Sequence, residues 1–300
     1  MRGSRYPNKR NALFLLFVII LIPIFYPPLR DLLRVSQHSD YYSHIILIPL
    51  ISTYLIFLRR KTVFLHPQYS YGAGAAGLAL GTGLFLIGRS QATAFLNQND
   101  HLSLMMLSAI VLGVGGFVLL YGMEAFRSAF FPFLFLVFMI PIPTALMDKI
   151  IFSLQVGSTQ ATHLLFKIIG MPFSQEGFVF NLPGISIEVD KQCSGIRSSL
   201  ALLITGILAG HLFLRANWRK ALLAFSVFPI AIFKNAVRIV IVSLLAVYFG
   251  EETMEGFLHK SGGFLFYILG LGILGAILWL LRRSDGSKTF SQSESAEGLP

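Results

Sequence analysis

Apolar residues run along this chain in long stretches that are separated by short polar segments. A helix needs about 20 predominantly apolar residues to cross the hydrocarbon core of a bilayer. By this criterion the pattern predicts eight membrane-spanning helices, over residues 12–28, 44–58, 72–88, 102–121, 129–146, 195–213, 221–247 and 262–281. The predicted fold class is therefore an all-α polytopic membrane protein, and an even number of spans places both termini on one side.

The longest predicted segment outside the spans covers residues 147–192, and its hydrophobic period changes along the way. The stretch "MDKIIFSLQVGSTQATHLLFKIIG" has apolar residues at helical spacing, which predicts an amphipathic helix on the membrane surface. The stretch "GFVFNLPGISIEVD" then alternates on either side of Pro183-Gly184, a pair suited to a type II turn. This second stretch predicts a short β-hairpin that leads into residue 193.

Composition and charge exclude several other classes of protein. Hydrophobic residues make up 55% of the chain and charged residues 13%, a balance that excludes a fold around one water-soluble core. The net charge of +10 comes from basic residues between the spans, so we expect no nucleic-acid partner. The single cysteine excludes an intramolecular disulfide. There is no glycine-rich phosphate loop and no metal-ligand spacing, so we expect neither cofactor nor metal.

The basic residues also predict an orientation. With the N-terminus in the cytoplasm, inner loops receive about twice as many Lys and Arg residues as outer loops, in agreement with the positive-inside rule. The first apolar run lacks a small-residue cleavage site, so we interpret it as a retained helix. The Ser-, Gly- and Glu-rich end predicts a disordered cytoplasmic tail over 284–300, after one membrane domain over 1–283.

Cys193 lies where the predicted hairpin re-enters the membrane, followed by Ser194 and the sixth span. A thiol at a helix N-terminus is close to unpaired backbone N–H groups and to the positive end of the helix dipole, which favour the thiolate. Cys193 is therefore a candidate nucleophile. The alternative is a small buried thiol that only packs at a helix end.

The seventh span contains Lys234, Asn235 and Arg238 within an otherwise apolar run. Charge inside a spanning helix costs a few kcal/mol, so such side chains tend to face a cavity or a partner. The spacings of three and four residues place all three on roughly one side of the helix. Arg238 falls in the outer half of this span, at a depth comparable with Cys193. The alternative is a structural pair or snorkelling towards lipid headgroups.

His259 follows the seventh span, again on the predicted outer side. Histidine exchanges protons near neutral pH, so it can serve as an acid or base towards a thiol. Considered alone, the residue fits an ordinary interfacial histidine better than a catalytic one. The three candidates, Cys193, Arg238 and His259, come from three successive spans and are all predicted at the outer leaflet.

These residues resemble the motif regions of a known family. The blocks "CSGIRS" (193–198), "PIAIFKNAVRI" (229–239) and "HKSGG" (259–263) resemble the three motifs of the exosortase/archaeosortase family. The stretches "YSHIILIP" (42–49) and "PIPTALMDKIIFSLQ" (141–155) resemble its early regions, so the resemblance covers roughly residues 36–280. Lys234 departs from the pattern, because an uncharged residue is expected before the asparagine.

The resemblance implies a membrane cysteine transpeptidase that cleaves C-terminal sorting signals of the PEP-CTERM type. Its partners would be membrane-anchored proteins with a short motif, a membrane helix and a basic cluster, together with an unidentified acceptor and membrane lipids. Cys193 would be the nucleophile, Arg238 the residue that stabilises the transition state, and His259 the general acid and base. Asn235, Ser194 and Lys234 would support them. His259 resembles the bacterial branch, which implies a bacterial inner membrane, and the distribution of basic residues predicts the active site at its outer leaflet.

A different class remains open from the residues alone. A non-enzymatic carrier or lipid-binding membrane protein would use Lys234 and Arg238 to bind an anionic ligand or headgroup. Such a carrier is expected to tolerate replacement of Cys193 and to show broken helices in two related halves. The sequence shows no internal repeat of that kind.

Overall fold

The computed structural model of the chain describes residues 9–38, 41–65, 67–191, 195–250 and 262–296. It is predominantly helical, with one small antiparallel sheet. The chain divides into two compact units, Met1–Met147 and Asp148–Pro300. Each unit has buried apolar clusters of its own.

The first unit consists of helices. Their bounds are Lys9–Ile24 (α1), Tyr26–His38 (α2), Leu47–Leu58 (α3), Arg60–Val63 (α4), Tyr71–Arg89 (α5), Gln98–Ser128 (α6) and Phe130–Phe135 (α7), with 3₁₀ turns at Gln91–Thr93 and Leu136–Met139. Helices α1 and α2 meet at Phe25 with a bend of 74°. Pro23, Pro27 and Pro28 flank this bend, where proline removes backbone donors. The apolar run over 12–28 is therefore not one straight helix.

Helices α5 and α6 pack closely together where α5 has glycine residues. Gly74, Gly81 and Gly88 recur every seventh residue of α5 and are buried. A Cβ added to Gly74 would lie 2.5 Å from Cα of Leu119, and one added to Gly77 would lie 2.9 Å from Cα of Gly115. Such close approach of two backbones is typical of small-residue interfaces between membrane helices.

A polar network organises the segment after α7. The hydroxyl of Tyr42 donates to Oδ1 of Asn99 at 3.1 Å, and Nδ2 of Asn99 donates to the carbonyl of Ile142 at 2.8 Å. Oδ1 of Asp100 accepts from the backbone N–H of Thr144 at 2.6 Å. Burial raises the pKa of Tyr42, which keeps its hydroxyl protonated as a donor. Side chains thus satisfy the backbone where the chain is not helical.

The predicted fifth span, over 129–146, is not a continuous helix. After α7 and its 3₁₀ turn the chain is non-helical from Ile140 to Pro143, and the next helix begins at Thr144. Pro141 and Pro143 explain the break, because proline lacks an N–H and the residue before it avoids helical geometry. Hydropathy alone does not detect this interruption.

The second unit combines the sheet with long helices. Their bounds are Thr144–Ile169 (α8, which begins in the first unit), Ser174–Glu176 (β1), Val179–Leu182 (β2), Ile185–Glu188 (β3), Ile196–Phe213 (α9), Asn217–Phe249 (α10) and Gly262–Ala296 (α11). Strands β2 and β3 form the predicted hairpin, with Phe180 opposite Ile187, and Gly184 has a φ of 84° as a type II turn requires. The hairpin is confirmed. Strand β1 extends it to three strands and was not predicted.

Helix α8 forms over the stretch for which helical spacing predicted a helix. Its buried side chains include the polar Gln155, Ser158, Thr159 and Thr162, whereas the apolar Leu164 and Ile168 are 59% and 71% exposed. A buried polar stripe is typical of helices that pack against other helices in a membrane. The position of α8 on the membrane surface remains a prediction.

Among the described residues, five helices are long and apolar enough to cross a membrane: α5, α6, α9, α10 and the Gly263–Ser284 part of α11. The number rises to seven if α1 with α2, and α7 with α8, each form one bent span. Helix α3 is shorter, with 12 residues. The all-α polytopic class is thus confirmed, whereas eight spans remain a prediction. Helix α11 continues past residue 284 to Ala296, and the division into a membrane domain and a tail remains a prediction.

Candidate active site

Helices α9, α10 and α11 pack together and hold the polar residues of the seventh predicted span in the interior. Leu202 of α9, Leu223 and Ile230 of α10, and Leu274 of α11 belong to one buried apolar cluster. Lys234 and Asn235 follow on α10, with exposed fractions of 2% and 1%. A charged group at such a position is costly unless polar neighbours surround it, so its contacts determine how the position is tolerated.

Only some of the predicted site residues fall within the described ranges. Lys234, Asn235 and Arg238 lie on α10. Cys193, Ser194 and His259 lie outside the described residues, so their placement stays a prediction. The structure does describe the residues that follow Ser194 in the chain and those that pack against them.

The turn that begins α9 is built around Gly195. Its φ of 69° lies in the left-handed region, which glycine adopts without steric cost. The Gly195 carbonyl accepts from the hydroxyls of Ser198 and Ser199 at 3.0 and 2.8 Å. A Cβ at this position would lie 3.1 Å from Oδ1 of Asn235 and 3.3 Å from Nζ of Lys234. The chain two residues after Cys193 therefore contacts the polar residues of α10.

Lys234 is held from α9. Its Nζ donates to Oγ of Ser198 at 2.5 Å, and Ser198 in turn donates to the Gly195 carbonyl. Within the described residues no carboxylate forms an ion pair with Lys234. The hydrogen bonds thus connect the middle of α10 to the first turn of α9.

Asn235 is held from α8. Its Nδ2 donates to Oγ of Ser158 at 3.1 Å, and both side chains are almost fully buried. A hydroxyl and an amide satisfy each other here without net charge, as buried polar groups require. Sequence reasoning missed Ser158, although the spacing of Gln155, Ser158, Thr159 and Thr162 marks one polar helix face.

Arg238 lies one turn beyond Lys234 on α10 and is half-buried. The two side chains carry the same charge and repel each other. Among the described residues, Arg238 has no hydrogen-bond or ion-pair partner. Its guanidinium, with five donors in a planar fork, is therefore not committed to a described carboxylate.

The sheet packs beside Arg238. Ile239 and Val240 of α10 share a buried cluster with Phe180, Ile187 and Val189 of the β2–β3 region, which Phe166 of α8 joins. Nε2 of Gln155 donates to the carbonyl of Val189 at 2.6 Å, which fixes the end of the hairpin to α8. The segment that precedes Cys193 is thus anchored to two helices.

An apolar groove opens next to the start of α9. It has a volume of about 380 Å³ and lies between α8, α9 and α10. Its lining includes Ile196 and Ser199 of α9 and Phe225 and Phe228 of α10. Lys149 contributes a charged group to the lining. Nothing in this lining resembles a metal site, and the described residues contain no group of three or more His, Cys, Asp or Glu side chains that could hold a metal ion.

Residues 33–276 match the family described as transmembrane exosortase (Exosortase_EpsH). No curated protein and no solved structure matched. The match contains the polar residues of α10 and the turn at Gly195, and it extends over most of both units. The chain therefore belongs to the transmembrane exosortase family.

Proposed function

We propose that this protein is a membrane cysteine transpeptidase that cleaves PEP-CTERM-like C-terminal sorting signals of exported proteins and transfers the cleaved protein to an acceptor. The family supports a transpeptidase or sorting role in general. The observation that supports the finer proposal is the contact of Gly195 with Asn235 and Lys234. It brings the chain next to Cys193 against α10, one helical turn before Arg238.

In the proposed reaction, the thiolate of Cys193 attacks the carbonyl carbon of the scissile peptide bond and forms a tetrahedral oxyanion. Collapse of this intermediate breaks the C–N bond, and His259 gives its proton to the leaving amine. The substrate is then held as a thioester. His259 next takes a proton from the acceptor nucleophile, which attacks the thioester and releases Cys193.

Arg238 would stabilise the oxyanion. A donor that is already oriented towards the developing charge, in a site with little water, contributes strongly to catalysis. The half-buried position of Arg238 and its lack of a partner among the described residues support this role. Asn235, held by Ser158, and Lys234, held by Ser198, would keep this part of α10 in register with α9.

The partners follow from the same scheme. The substrates would be proteins anchored in the same bilayer by a helix that precedes a basic cluster, and confinement in one membrane favours their encounter. The sheet beside Arg238 would cover the site and limit hydrolysis of the thioester. We place the site at the outer leaflet of a bacterial inner membrane, with both termini cytoplasmic, on the distribution of basic residues.

The carrier hypothesis finds less support. That hypothesis needs both Lys234 and Arg238 for an anionic ligand, and the side chain of Lys234 is 2% exposed and donates to Ser198. We therefore do not propose it as a second function.

Co-expression with a membrane protein that carries a sorting signal tests the proposal. Wild type is expected to shorten the substrate on a gel, and Cys193→Ala and Arg238→Ala are expected to leave it uncut at equal enzyme levels. Arg215→Ala, at an exposed arginine between α9 and α10, is the matched control and is expected to cut normally. Processing by a well-expressed Cys193→Ala variant would disprove the nucleophile assignment.

A further inference from the structure

The first unit contains a cavity that the proposed function does not use. It has a volume of about 650 Å³, which lies within the range of sites that bind small molecules. Three parts of the chain form its wall: the bend between α1 and α2, the segment from the end of α5 to Leu96, and the first turns of α6. Every residue of this lining belongs to the first unit.

Arg89, the last residue of α5, gives the wall a positive charge. Its guanidinium carbon lies 5.9 Å from the centroid of the Phe85 ring, and this ring packs edge-to-face on Phe25 at 5.1 Å. The guanidinium therefore lies on the side of α5 that faces the α1–α2 bend. Within the ranges that the structure describes, no hydrogen bond or ion pair occupies Arg89, and no carboxylate lines the cavity.

Neutral polar side chains stand beside this charge, namely Gln91, Gln98 and His101. Nε2 of His101 donates to the carbonyl of Gly88 at 2.9 Å, since a carbonyl can only accept, and this bond fixes the ring against the end of α5. The two glutamine side chains have no hydrogen-bond partner in the described part of the chain. Each carries an NH₂ group that can donate to a ligand.

Helix α6 begins at the cavity, with Gln98 as its first residue. The first N–H groups of a helix lack acceptors within it and carry the positive end of its dipole. The carboxylate of the same turn, Asp100, does not line the cavity, and its Oδ1 accepts from the backbone N–H of Thr144. The start of α6 therefore adds to the positive potential of Arg89, a combination that favours anions.

Apolar surface adjoins this polar wall. Ile24, the last residue of α1, lines the cavity and is exposed. Leu86 and Ile87, in the last turn of α5, are exposed as well. Because α5 is long and apolar enough to cross a membrane, lipid chains are the expected cover of these side chains. The cavity thus combines a cationic wall with an apolar border, which suits a ligand that has a negative headgroup and hydrocarbon chains.

We propose that this cavity binds the phosphate headgroup of an anionic membrane lipid. The planar fork of Arg89 binds the phosphate oxygens, a geometry that guanidinium groups match well. The amides of Gln91 and Gln98 donate to the same headgroup, and the chains extend along the exposed apolar side chains at the end of α5. A bound lipid therefore joins the α1–α2 bend to the adjoining ends of α5 and α6, since all three form the wall.

Calorimetric titration of the full-length protein in detergent tests the proposal. The probe is dioctanoyl phosphatidylglycerol, and dioctanoyl phosphatidylcholine has the same chains without a net negative charge. We expect the phosphatidylglycerol to bind roughly tenfold more tightly. Arg89→Ala is expected to weaken its binding about tenfold, the usual range for a hydrogen bond to a charged group. Arg89→Lys keeps the charge and is expected to restore part of the affinity.

Arg127→Ala is the matched control. Arg127 is an exposed arginine in the last turn of α6 that does not line the cavity, so this variant is expected to bind the phosphatidylglycerol as wild type does. Melting temperatures without added lipid compare the folding of the variants. Arg89 is exposed, so its replacement is expected to leave the melting temperature unchanged.

Equal losses of affinity in Arg89→Ala and Arg127→Ala would overturn the proposal, because any surface arginine would then serve the lipid. Absent or equal binding of the two lipids would overturn it as well, since the headgroup would not be recognised. Inorganic phosphate is the third probe, and its displacement of the lipid at equal concentration would assign the cavity to a free anion instead. No cleavage substrate is involved, so the result is independent of the proposed sorting reaction.

Discussion

The side-chain amide of Asn235 on α10 donates to the hydroxyl of Ser158 on α8 at 3.1 Å, and neither side chain has appreciable solvent exposure. This bond joins a helix that contains a predicted catalytic arginine to the polar face of a neighbouring helix. It does so without using a charge, so it holds the position of α10 independently of pH.

Ser158→Ala is expected to lower the unfolding free energy by about 1 kcal/mol, the usual range for a buried hydrogen bond between membrane helices. Thermal stability in detergent measures the loss. Ser153→Ala is the matched control on the same helix, because Ser153 is exposed and its hydroxyl donates to the Lys149 carbonyl. Equal melting temperatures for the two variants would show that the Asn235–Ser158 bond is not important for stability.

Gly195→Ala is expected to impair sorting more than it impairs folding. The substitution forces a side chain into the left-handed region, at a cost of about 1–2 kcal/mol, and also brings Cβ to 3.1 Å from Oδ1 of Asn235. Gly170→Ala also places a side chain on a residue with positive φ, at 75°, but its Cβ would meet no atom within 4 Å. This control therefore shows the effect of backbone strain without the contact to Asn235. Cleavage rates normalised to folded protein are the measurement. Similar rates in the two variants would exclude a special role for the Gly195 contact.

Gly270→Ala is expected to displace Lys234 or Leu202. Its Cβ would lie 3.1 Å from Cδ of Lys234 and 2.8 Å from Cδ1 of Leu202, which a packed interior does not absorb freely. The loss is expected to be about 1–3 kcal/mol of unfolding free energy. Gly272→Ala, two residues further along α11 with nothing within 4 Å, is expected to be neutral or slightly stabilising. The measurement is the melting temperature of each variant. Equal melting temperatures for Gly270→Ala and Gly272→Ala would contradict the prediction.

Gly74→Ala is expected to separate α5 from α6. Its Cβ would lie 2.5 Å from Cα of Leu119, a backbone atom that cannot rotate away. We expect a loss of about 2 kcal/mol or more, in the upper part of the range for overpacking. Gly83→Ala on the same helix meets no atom within 4 Å and gains helix propensity, so it is not expected to be destabilising. Yield of monodisperse protein and melting temperature distinguish the two.

The hydrophobic pattern predicted the helices that consist of long apolar runs and the strands in which apolar and polar residues alternate. The long apolar runs placed α5, α6, α9, α10 and α11 nearly correctly, and alternation around Pro183-Gly184 predicted the hairpin. The polar stripe of α8 was visible too, but a stripe does not say whether water or protein covers it. The break at Pro141 and Pro143 was missed because hydropathy averages over a window in which two prolines count as ordinary residues.

The site was predictable to a similar extent. A lysine, an asparagine and an arginine in one apolar run required an interior environment, and the burial of Lys234 and Asn235 agrees with that reasoning. Which serine pairs with which of these residues could not be predicted, since the pairing with Ser158 and Ser198 depends on helix rotation. The roles of Cys193, Arg238 and His259 remain predictions that await the cleavage assay.

The Pro183-Gly184 turn also offers a way to observe the protein in its own membrane. Both residues are exposed, and nothing lies within 4 Å of the position that a Gly184 side chain would occupy. Exposed turns tolerate inserted peptides better than regular elements do. A short epitope placed there would be accessible to an antibody in spheroplasts and hidden in inverted vesicles if the sheet faces outwards. An epitope in the hairpin would therefore show on which side of the bilayer the proposed reaction takes place.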